Sequence, residues 1–252
     1  MSKLKIAVIG SGISGLSSAW YLAKKYDVDI YEKNNYFGGH SNTHSFKFRN
    51  SEVNIDTGFI VFNEINYPNL CSFFKLLNVN SYESDMSFSV SMNKGKLEYS
   101  GSSLLSIFAQ KKNLFNFKFL KMLYEIVRFY NEVEADRQVY RNLTISEYLN
   151  LKKYSHYFKY NHLFPMAASI WSSPISKIPD YPFVEFVNFF SNHGLLRIFN
   201  RPKWRTVFGG SKEYVKKILM NKRIKSFKSS KAVIKKIKNK WEVKSNNKKK
   251  YY

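Results

Sequence analysis

Residues 6–23 read IAVIGSGISGLSSAWYLA, a run of eighteen residues without a charge. Such a run is a secretory signal, a membrane span of about 20 apolar residues, or a nucleotide-binding strand and helix. Gly10, Gly12 and Gly15 lie in its middle, where each would cost a helix about 0.5–1 kcal/mol relative to alanine. Leu4 to Ile9 is instead the short β-branched run of a buried strand. Residues after the glycines recur at helical spacing: Ile13, Leu16, Trp20 and Ala23. The stretch therefore predicts strand, turn and helix.

The glycines form the pattern Gly10-x-Gly12-x-x-Gly15, and Glu32 ends a second predicted strand, Val28 to Glu32. The first glycine allows the tight turn, the second lets backbone approach a pyrophosphate, and the third allows close helix packing. The helix N-terminus supplies amide donors for phosphate. An acid at Glu32 suits ribose hydroxyls and disfavours the 2′-phosphate of NADP. We interpret the segment as the first unit of a Rossmann-type fold, in preference to a structural glycine turn.

Composition narrows the class of protein. With 252 residues, 44% hydrophobic, the chain is long and apolar enough to bury a core. Cys71 is the only cysteine, which excludes an intrachain disulfide and favours a cytoplasmic protein. The net charge is +23, but Lys222 to Tyr252 alone holds thirteen basic residues against Glu242. Nucleic acid is therefore a disfavoured partner, although binding through this basic tail stays open as an alternative.

A second glycine pair, Gly38 and Gly39, follows the second strand in YEKNNYFGGHSNTH. From here the sequence resembles the amine-oxidase and phytoene-desaturase class of FAD-dependent oxidoreductases. Four further segments resemble a bacterial subfamily of FAD-binding, amine-oxidase-like proteins associated with cyclopropane-fatty-acid-synthase-type enzymes: DTGFIVFNEINYPNL, FPMAASIWSSP, NHGLL and RPKWRTVFGGSKEYV. The resemblance implies FAD as cofactor, an acyl-lipid substrate and a role in lipid metabolism.

The same resemblance assigns cofactor contacts. It implies that the first glycine loop holds the pyrophosphate, that Glu32 holds the ribose, and that Asp56 to Phe59 lies near the isoalloxazine. Val233 matches a position whose backbone meets adenine, and His40 stands where many amine oxidases have arginine. The full set of expected cofactor residues is Gly10, Ser11, Gly12, Ile13, Ser14, Gly15, Glu32, Lys33, Gly38, Gly39, His40, Thr57, Gly58, Phe59 and Val233.

The resemblance also implies the architecture: an α/β, Rossmann-like FAD/NAD(P)-binding domain of the glutathione-reductase and amine-oxidase type, interrupted by a mostly helical substrate domain. We place the domain parts at residues 1–65, 66–200 and 201–252. The last part reads as strand, turn, strand, turn and the start of a third strand. Relatives continue with a glycine-containing segment that nothing here matches. We therefore expect a truncated β-meander and an N-terminal fragment of a longer protein.

A long helix is predicted from Leu114 to Val139. One apolar stripe comprises Phe115, Phe119, Leu123, Ile126, Tyr130 and Val133, and Phe117, Leu120, Tyr124 and Val127 widen it. Such a stripe is usually core. The alternatives are a lipid-accessible tunnel or a peripheral contact with the inner membrane face, for which Lys118, Lys121 and Arg128 are basic neighbours. Glu125, Glu132 and Glu134 argue against a strongly cationic membrane face.

The sequence identifies no catalytic residue. The five histidines form no close ligand pattern with acids, so no metal is expected, and no GxSxG nucleophile occurs. Trp171, His193 and Trp204 are candidates for the substrate-facing wall, and for each a structural role is the stronger alternative. We predict hydride transfer from a substrate, an acyl chain or an amine, to flavin. The alternative is a catalytically silent nucleotide- or lipid-binding module; the oligomeric state is not predicted.

Overall fold

The computed structural model describes residues 4–198 and 200–252. These residues form two compact units, one of residues 4–84 and 203–252, the other of residues 85–198 and 200–202. The prediction placed residues 66–84 in the insert, but they belong to the first unit. The reason is packing: Phe73 and Phe74 are buried in the core of that unit together with Leu16.

A three-stranded parallel sheet organises the first unit. Its strands are β1 (Lys5–Ile9), β2 (Asp27–Tyr31) and β9 (Ile224–Phe227), with β2 in the centre. Helix α1 (Ile13–Leu22) connects β1 to β2. The predicted Rossmann-like α/β unit is confirmed. β1 begins one residue later than predicted, and β2 begins and ends one residue earlier.

Two further helices cover this unit, α2 (Pro68–Leu76) and α9 (Lys212–Leu219). α2 begins with Pro68 in its first turn, where the missing N–H of proline costs no helical hydrogen bond. α9 buries Tyr214, Val215 and Ile218 on one side. The core joins these side chains to those of α1 and β2: Leu16, Ala19, Ala23, Val28 and Ile30.

Short antiparallel pairs complete the first unit. They are β3 (Thr43–Phe48) with β4 (Ser51–Asp56), and β5 (Ser81–Glu83) with β8 (Arg205–Val207). The C-terminal residues form the meander β10 (Val233–Ile237), β11 (Lys240–Ser245) and β12 (Lys248–Tyr251). The predicted alternation of strands and turns is therefore present.

The second unit is mostly helical, as expected. A hairpin of β6 (Ser89–Met92) and β7 (Leu97–Ser100) is followed by helices α3 (Leu104–Ile107), α4 (Phe117–Asp136), α5 (Ile145–Leu151), α6 (His156–Phe158), α7 (Phe164–Trp171) and α8 (Phe183–Asn192). A π-helical turn, Lys159–Leu163, leads into α7. Aromatic side chains dominate the core of the second unit, including Phe119, Phe129, Tyr148, Phe158, Phe164, Phe183, Phe186 and Phe190.

The long helix α4 is shorter than predicted. It starts after Asn116, whose side-chain oxygen accepts hydrogen bonds from the Lys118 and Phe119 amides. The buried face consists of Phe119, Met122, Glu125, Phe129 and Val133.

Part of the predicted apolar stripe of α4 was therefore wrong. Five of its six residues do face the core: Phe119 and Val133 are buried, and Leu123, Ile126 and Tyr130 are partly buried against the same cluster. Phe115 is exposed, as are the four residues expected to widen the stripe: Phe117, Leu120, Tyr124 and Val127. Glu125 occupies the buried face because its carboxylate accepts hydrogen bonds from the Ser155 amide at 2.9 Å and the Ser155 hydroxyl at 2.5 Å. It therefore places no carboxylate on the exposed face of α4.

Candidate functional site

The first glycine loop has the geometry that its sequence pattern requires. Gly10 has φ +92° and donates its amide to the Tyr31 carbonyl at 2.8 Å. A Cβ on Gly15 would lie 2.1 Å from the Gly10 carbonyl oxygen. Gly12 is the N-cap of α1, and a Cβ there would meet no atom within 4 Å. The first and third glycines are therefore needed by the fold, whereas Gly12 leaves space open.

Glu32 lies immediately after β2 and is buried. Its carboxylate accepts hydrogen bonds from the Ser11 amide at 2.9 Å, the Ser11 hydroxyl at 2.6 Å and the Asn34 amide at 2.9 Å. Burial by itself would raise the pKa of Glu32, but the hydrogen bonds from Ser11 and from the Asn34 and Lys33 amides outweigh it and lower the pKa. The ionised carboxylate is thus fixed beside the glycine loop.

The second glycine loop meets the first. Gly38 donates its amide to the Ser11 carbonyl at 3.0 Å and has φ +117°. Gly39 has φ +60°, and a Cβ there would lie 3.2 Å from the Gly12 Cα. Two loops that are separate in the sequence therefore form one backbone surface.

A cleft of about 700 Å³ opens along these loops, within the volume range of small-molecule and cofactor sites. Its lining includes nine of the expected cofactor residues: Gly10, Gly12, Ile13, Ser14, Gly15, Gly38, Gly39, His40 and Phe59. The sequence analysis missed five others: Ile9, Ser41, Tyr67, Leu70 and Tyr214. The site thus joins the glycine loops to an aromatic and apolar wall.

Tyr214 is a buried residue of that wall. Its hydroxyl contacts the Ser41 hydroxyl, and its ring packs edge-on against Phe59 at 6.4 Å. Burial raises the pKa of Tyr214 to about 12, so the phenol is neutral at physiological pH. Tyr214 belongs to the segment RPKWRTVFGGSKEYV, but nothing in its spacing distinguishes it from an ordinary core residue of α9.

Asp56 holds α9 in place. Its carboxylate accepts hydrogen bonds from the Ser211 amide at 3.0 Å, the Ser211 hydroxyl at 2.7 Å and the Thr43 hydroxyl at 2.5 Å. An acid at a helix N-terminus is stabilised by the free amides and by the helix dipole. The DTGF segment therefore positions Tyr214 from a distance.

Six expected cofactor residues do not line the cleft. Ser11 and Glu32 bond to one another behind it. A Cβ on Gly58 would lie 2.3 Å from the His40 carbonyl oxygen, so this glycine supports the second loop. The other three, Lys33, Thr57 and Val233, are exposed elsewhere on the first unit. Their roles toward a cofactor stay predictions.

The three substrate-wall candidates pack against other aromatic residues or are buried. Trp171 stacks on Tyr181 at 4.5 Å between ring centroids. His193 stacks on Phe189 at 4.1 Å, and its Nδ1 lies 2.8 Å from the Phe189 carbonyl oxygen. Trp204 is buried in the first unit. None of the three lines the cleft.

Within residues 4–198 and 200–252, no three His, Cys, Asp or Glu side chains lie close enough to hold a metal ion. No helix in the same ranges combines the length and apolarity needed to cross a bilayer.

Fold and cleft together define a Rossmann-type dinucleotide-binding unit. Comparison with known proteins agrees: residues 8–77 match the family model of the NAD(P)-binding Rossmann-like domain. A curated relative, 4,4'-diaponeurosporene oxygenase of Staphylococcus haemolyticus, is 39% identical over 71 residues, which are 27% of this chain and 14% of the relative.

Solved structures share the fold over nearly the whole chain. Putrescine oxidase bound to putrescine has a TM-score of 0.62 and 16% identity, covering 96% of this chain and 55% of the oxidase. An Exiguobacterium protein assigned as a protoporphyrinogen oxidase has a TM-score of 0.61 and 15% identity, covering 100% of this chain and 58% of that protein. An oxidoreductase from Methanosarcina mazei has a TM-score of 0.58 and 18% identity, covering 98% of this chain and 57% of the oxidoreductase. The predicted amine-oxidase-type fold is confirmed, and the chain spans little more than half of each of these structures.

Proposed function

We propose that the cleft binds FAD and that the chain is the cofactor-binding part of a flavin-dependent oxidoreductase. The observation that carries the proposal is the meeting of the two glycine loops, which is so close that a Cβ added to Gly39 would lie only 3.2 Å from the Gly12 Cα. Two backbone surfaces free of side chains suit an extended pyrophosphate better than one glycine loop does. The resemblance to FAD-dependent oxidoreductases and the shared fold support the choice of FAD.

The residues that line the cleft suit the pyrophosphate of such a cofactor. Gly12, Ile13 and Ser14, at the N-terminus of α1, would hold the pyrophosphate through amides and the positive end of the helix dipole. The Glu32 carboxylate lies behind the cleft and is held by Ser11 and Asn34, so its contact with the ribose is proposed from the resemblance alone. His40 is exposed beside the glycine pair and offers a ring N–H instead of a fixed cation.

The aromatic and apolar wall suits the ring system of a flavin. Phe59, Tyr67, Leu70 and Tyr214 line the cleft beyond the glycine loops. When bound, flavin accepts hydride from a C–H or C–N bond. The protein would then bind, orient and shield the reacting groups from water, and Tyr214 would stay a neutral hydrogen-bonding group because its pKa is about 12.

We further propose an apolar acyl-lipid substrate, with an amine as the enzyme alternative. The relative in S. haemolyticus is named for oxygenation of 4,4'-diaponeurosporene, and putrescine oxidase is named for an amine. The cleft lining contains no Asp or Glu, so this part of the chain offers no carboxylate to pair with an ammonium group. The lack of a carboxylate in the lining favours the acyl-lipid substrate over the amine.

The first experiment is a visible absorption spectrum of the purified chain, followed by mass spectrometry of the released cofactor. A flavin band with released FAD supports the proposal. Binding of NAD and no uptake of FAD would replace it with a nicotinamide-binding function. Anaerobic mixing with fatty acyl chains or with putrescine then tests the substrate class by flavin bleaching. Retention of FAD without bleaching by either would favour a silent binding module.

A further inference from the structure

The second unit carries large apolar side chains that point into solvent. Leu105, Phe115 and Phe117 are 88%, 86% and 87% exposed. Further exposed apolar residues lie in the same part of the chain: Leu104, Leu114, Leu120, Tyr124 and Val127. We call these eight residues the apolar surface. Large exposed apolar side chains that recur within one short segment, residues 104–127, differ from the scattered single ones of an ordinary surface and indicate an interaction site.

This segment is ordered by its own contacts. The Phe108 ring, just after α3, packs edge-on against Phe119 of α4 at 6.0 Å between centroids. The Lys112 ammonium donates to the Lys96 carbonyl at 2.9 Å, which ties the turn before α4 to the β6–β7 hairpin. The exposed side chains are therefore carried by folded elements.

On α4 the exposed residues form a stripe at helical spacing: Phe117, Leu120, Tyr124 and Val127. Positions three and four apart lie on the same side of a helix. The helix therefore has two apolar faces, one in the core and one in solvent. Only the first face packs in the core, so the second contributes nothing to core packing.

The charges near the exposed apolar face of α4 indicate which kind of partner it contacts. Between Glu98 and Glu125 the sequence has no acidic residue and four lysines, Lys111, Lys112, Lys118 and Lys121, all exposed. None of the four forms an ion pair with any residue in ranges 4–198 and 200–252. The next acidic residue along the chain is Glu125, and its carboxylate is buried on the opposite face of α4.

We infer that the apolar surface docks on the surface of an anionic phospholipid bilayer. Leu and Phe side chains insert at the headgroup boundary, and lysines around them pair with anionic headgroups. A second copy of the chain would bring four lysines against four, which disfavours self-association through this face. The inference is independent of the cofactor proposal, since none of these residues lines the cleft.

The test is co-sedimentation of the full chain with vesicles of phosphatidylcholine containing about one-third phosphatidylglycerol, compared with phosphatidylcholine alone. We expect binding to the anionic vesicles that weakens with salt. The triple variant Leu105→Ser, Phe115→Ser, Phe117→Ser should lower the partition coefficient on the order of tenfold or more. The exposed pair Ile65→Ser, Met220→Ser is the apolar control and should bind as the parent does.

A second pair of variants separates this surface from the basic meander. Replacing Lys111, Lys112, Lys118 and Lys121 by Gln should weaken vesicle binding and reduce its salt dependence. Replacing Lys235, Lys236, Lys238 and Lys240 by Gln removes the same charge from the meander and should leave most binding intact.

Three results would overturn the inference. They are undiminished binding by the triple variant, loss of binding only in the meander variant, or a dimer in sedimentation velocity that the triple variant converts to a monomer without any vesicle binding. Because FAD is not needed, a chain that fails to bind FAD and still binds vesicles would refute only the proposed function.

Discussion

Glu32 accepts two hydrogen bonds from Ser11, one from its amide at 2.9 Å and one from its hydroxyl at 2.6 Å. These bonds hold the end of β2 against the first glycine loop. Hydrogen bonds to a charged acceptor contribute about 1.5–3 kcal/mol. Glu32→Gln should therefore lower the free energy of unfolding in urea at pH 7 by about that amount.

The pH dependence distinguishes this effect from simple repacking. Because the pKa of Glu32 is lowered in the folded state, its contribution is present above the ordinary Glu pKa and is lost as the pH falls through the folded value. The difference between wild type and Glu32→Gln should shrink at acidic pH. A difference that is constant from pH 7 downward would contradict an ionised Glu32 in the folded protein.

Gly12 and Gly15 separate cofactor binding from folding. A side chain on Gly12 meets no protein atom within 4 Å, so Gly12→Val should fold normally and fail to retain FAD, because the valine would occupy the pyrophosphate path. Gly15→Ala places a Cβ 2.1 Å from the Gly10 carbonyl oxygen and should destabilise the protein itself. Thermal unfolding and flavin content, measured on both, give the comparison.

The matched control is Gly101→Ala, whose Cβ would meet only the Phe88 carbonyl oxygen at 3.9 Å. It should change neither property. Full FAD retention by Gly12→Val would mean that the pyrophosphate does not pass this glycine.

Local sequence predicted the Rossmann unit because each of its parts is set by neighbours in the chain. The β-branched run before Gly10 and the acid after β2 follow short-range rules of strands and turns. Tyr214 could not be found this way, since its place in the cleft depends on Asp56, a residue 155 positions away from its anchor Ser211. The face of α4 was misjudged because Glu125 is buried only where Ser155 satisfies it.

Asp29, in the centre of β2, should anchor the C-terminal meander. It is buried, and its Oδ2 accepts hydrogen bonds from Tyr252 at 2.5 Å and Lys250 at 2.9 Å, with Lys5 at 3.3 Å. Burial opposes ionisation, but these partners outweigh it and lower the pKa of Asp29. Asp29→Asn should cost on the order of 1–3 kcal/mol at neutral pH.

The effect should fade as the pH falls from the ordinary Asp pKa through the lowered pKa of folded Asp29, where the wild-type carboxylate becomes protonated as well. Asp27→Asn, on an exposed residue of the same strand, is the control. Protease cutting within the meander, followed by mass spectrometry, should rise in Asp29→Asn and not in Asp27→Asn. Equal resistance in both would mean that other contacts hold the meander.

His162 makes the second unit sensitive to acid. Its ring is buried beside Tyr99 and Phe158, with Nδ1 3.0 Å from the Tyr99 hydroxyl. Burial, with a smaller effect of Arg201, lowers its pKa to about 4. The unfolded chain binds a proton near pH 6.5 and the folded chain does not, so stability falls as the pH drops from about 6.5 toward 4, by on the order of 3 kcal/mol in total.

His162→Phe removes this proton-linked loss and keeps the ring packing, since the Tyr99 hydroxyl still donates to the Asn161 carbonyl at 2.8 Å. Urea unfolding at pH 7 and at pH 4.5 should therefore show a smaller difference in the variant than in the wild type. His156→Phe changes an exposed histidine that stacks on Tyr160 and should leave the pH dependence as it is. An equally large difference between pH 7 and pH 4.5 in His162→Phe would show that His162 is not the source of the acid sensitivity, since the contributions of Glu32 and Asp29 are lost mainly at lower pH.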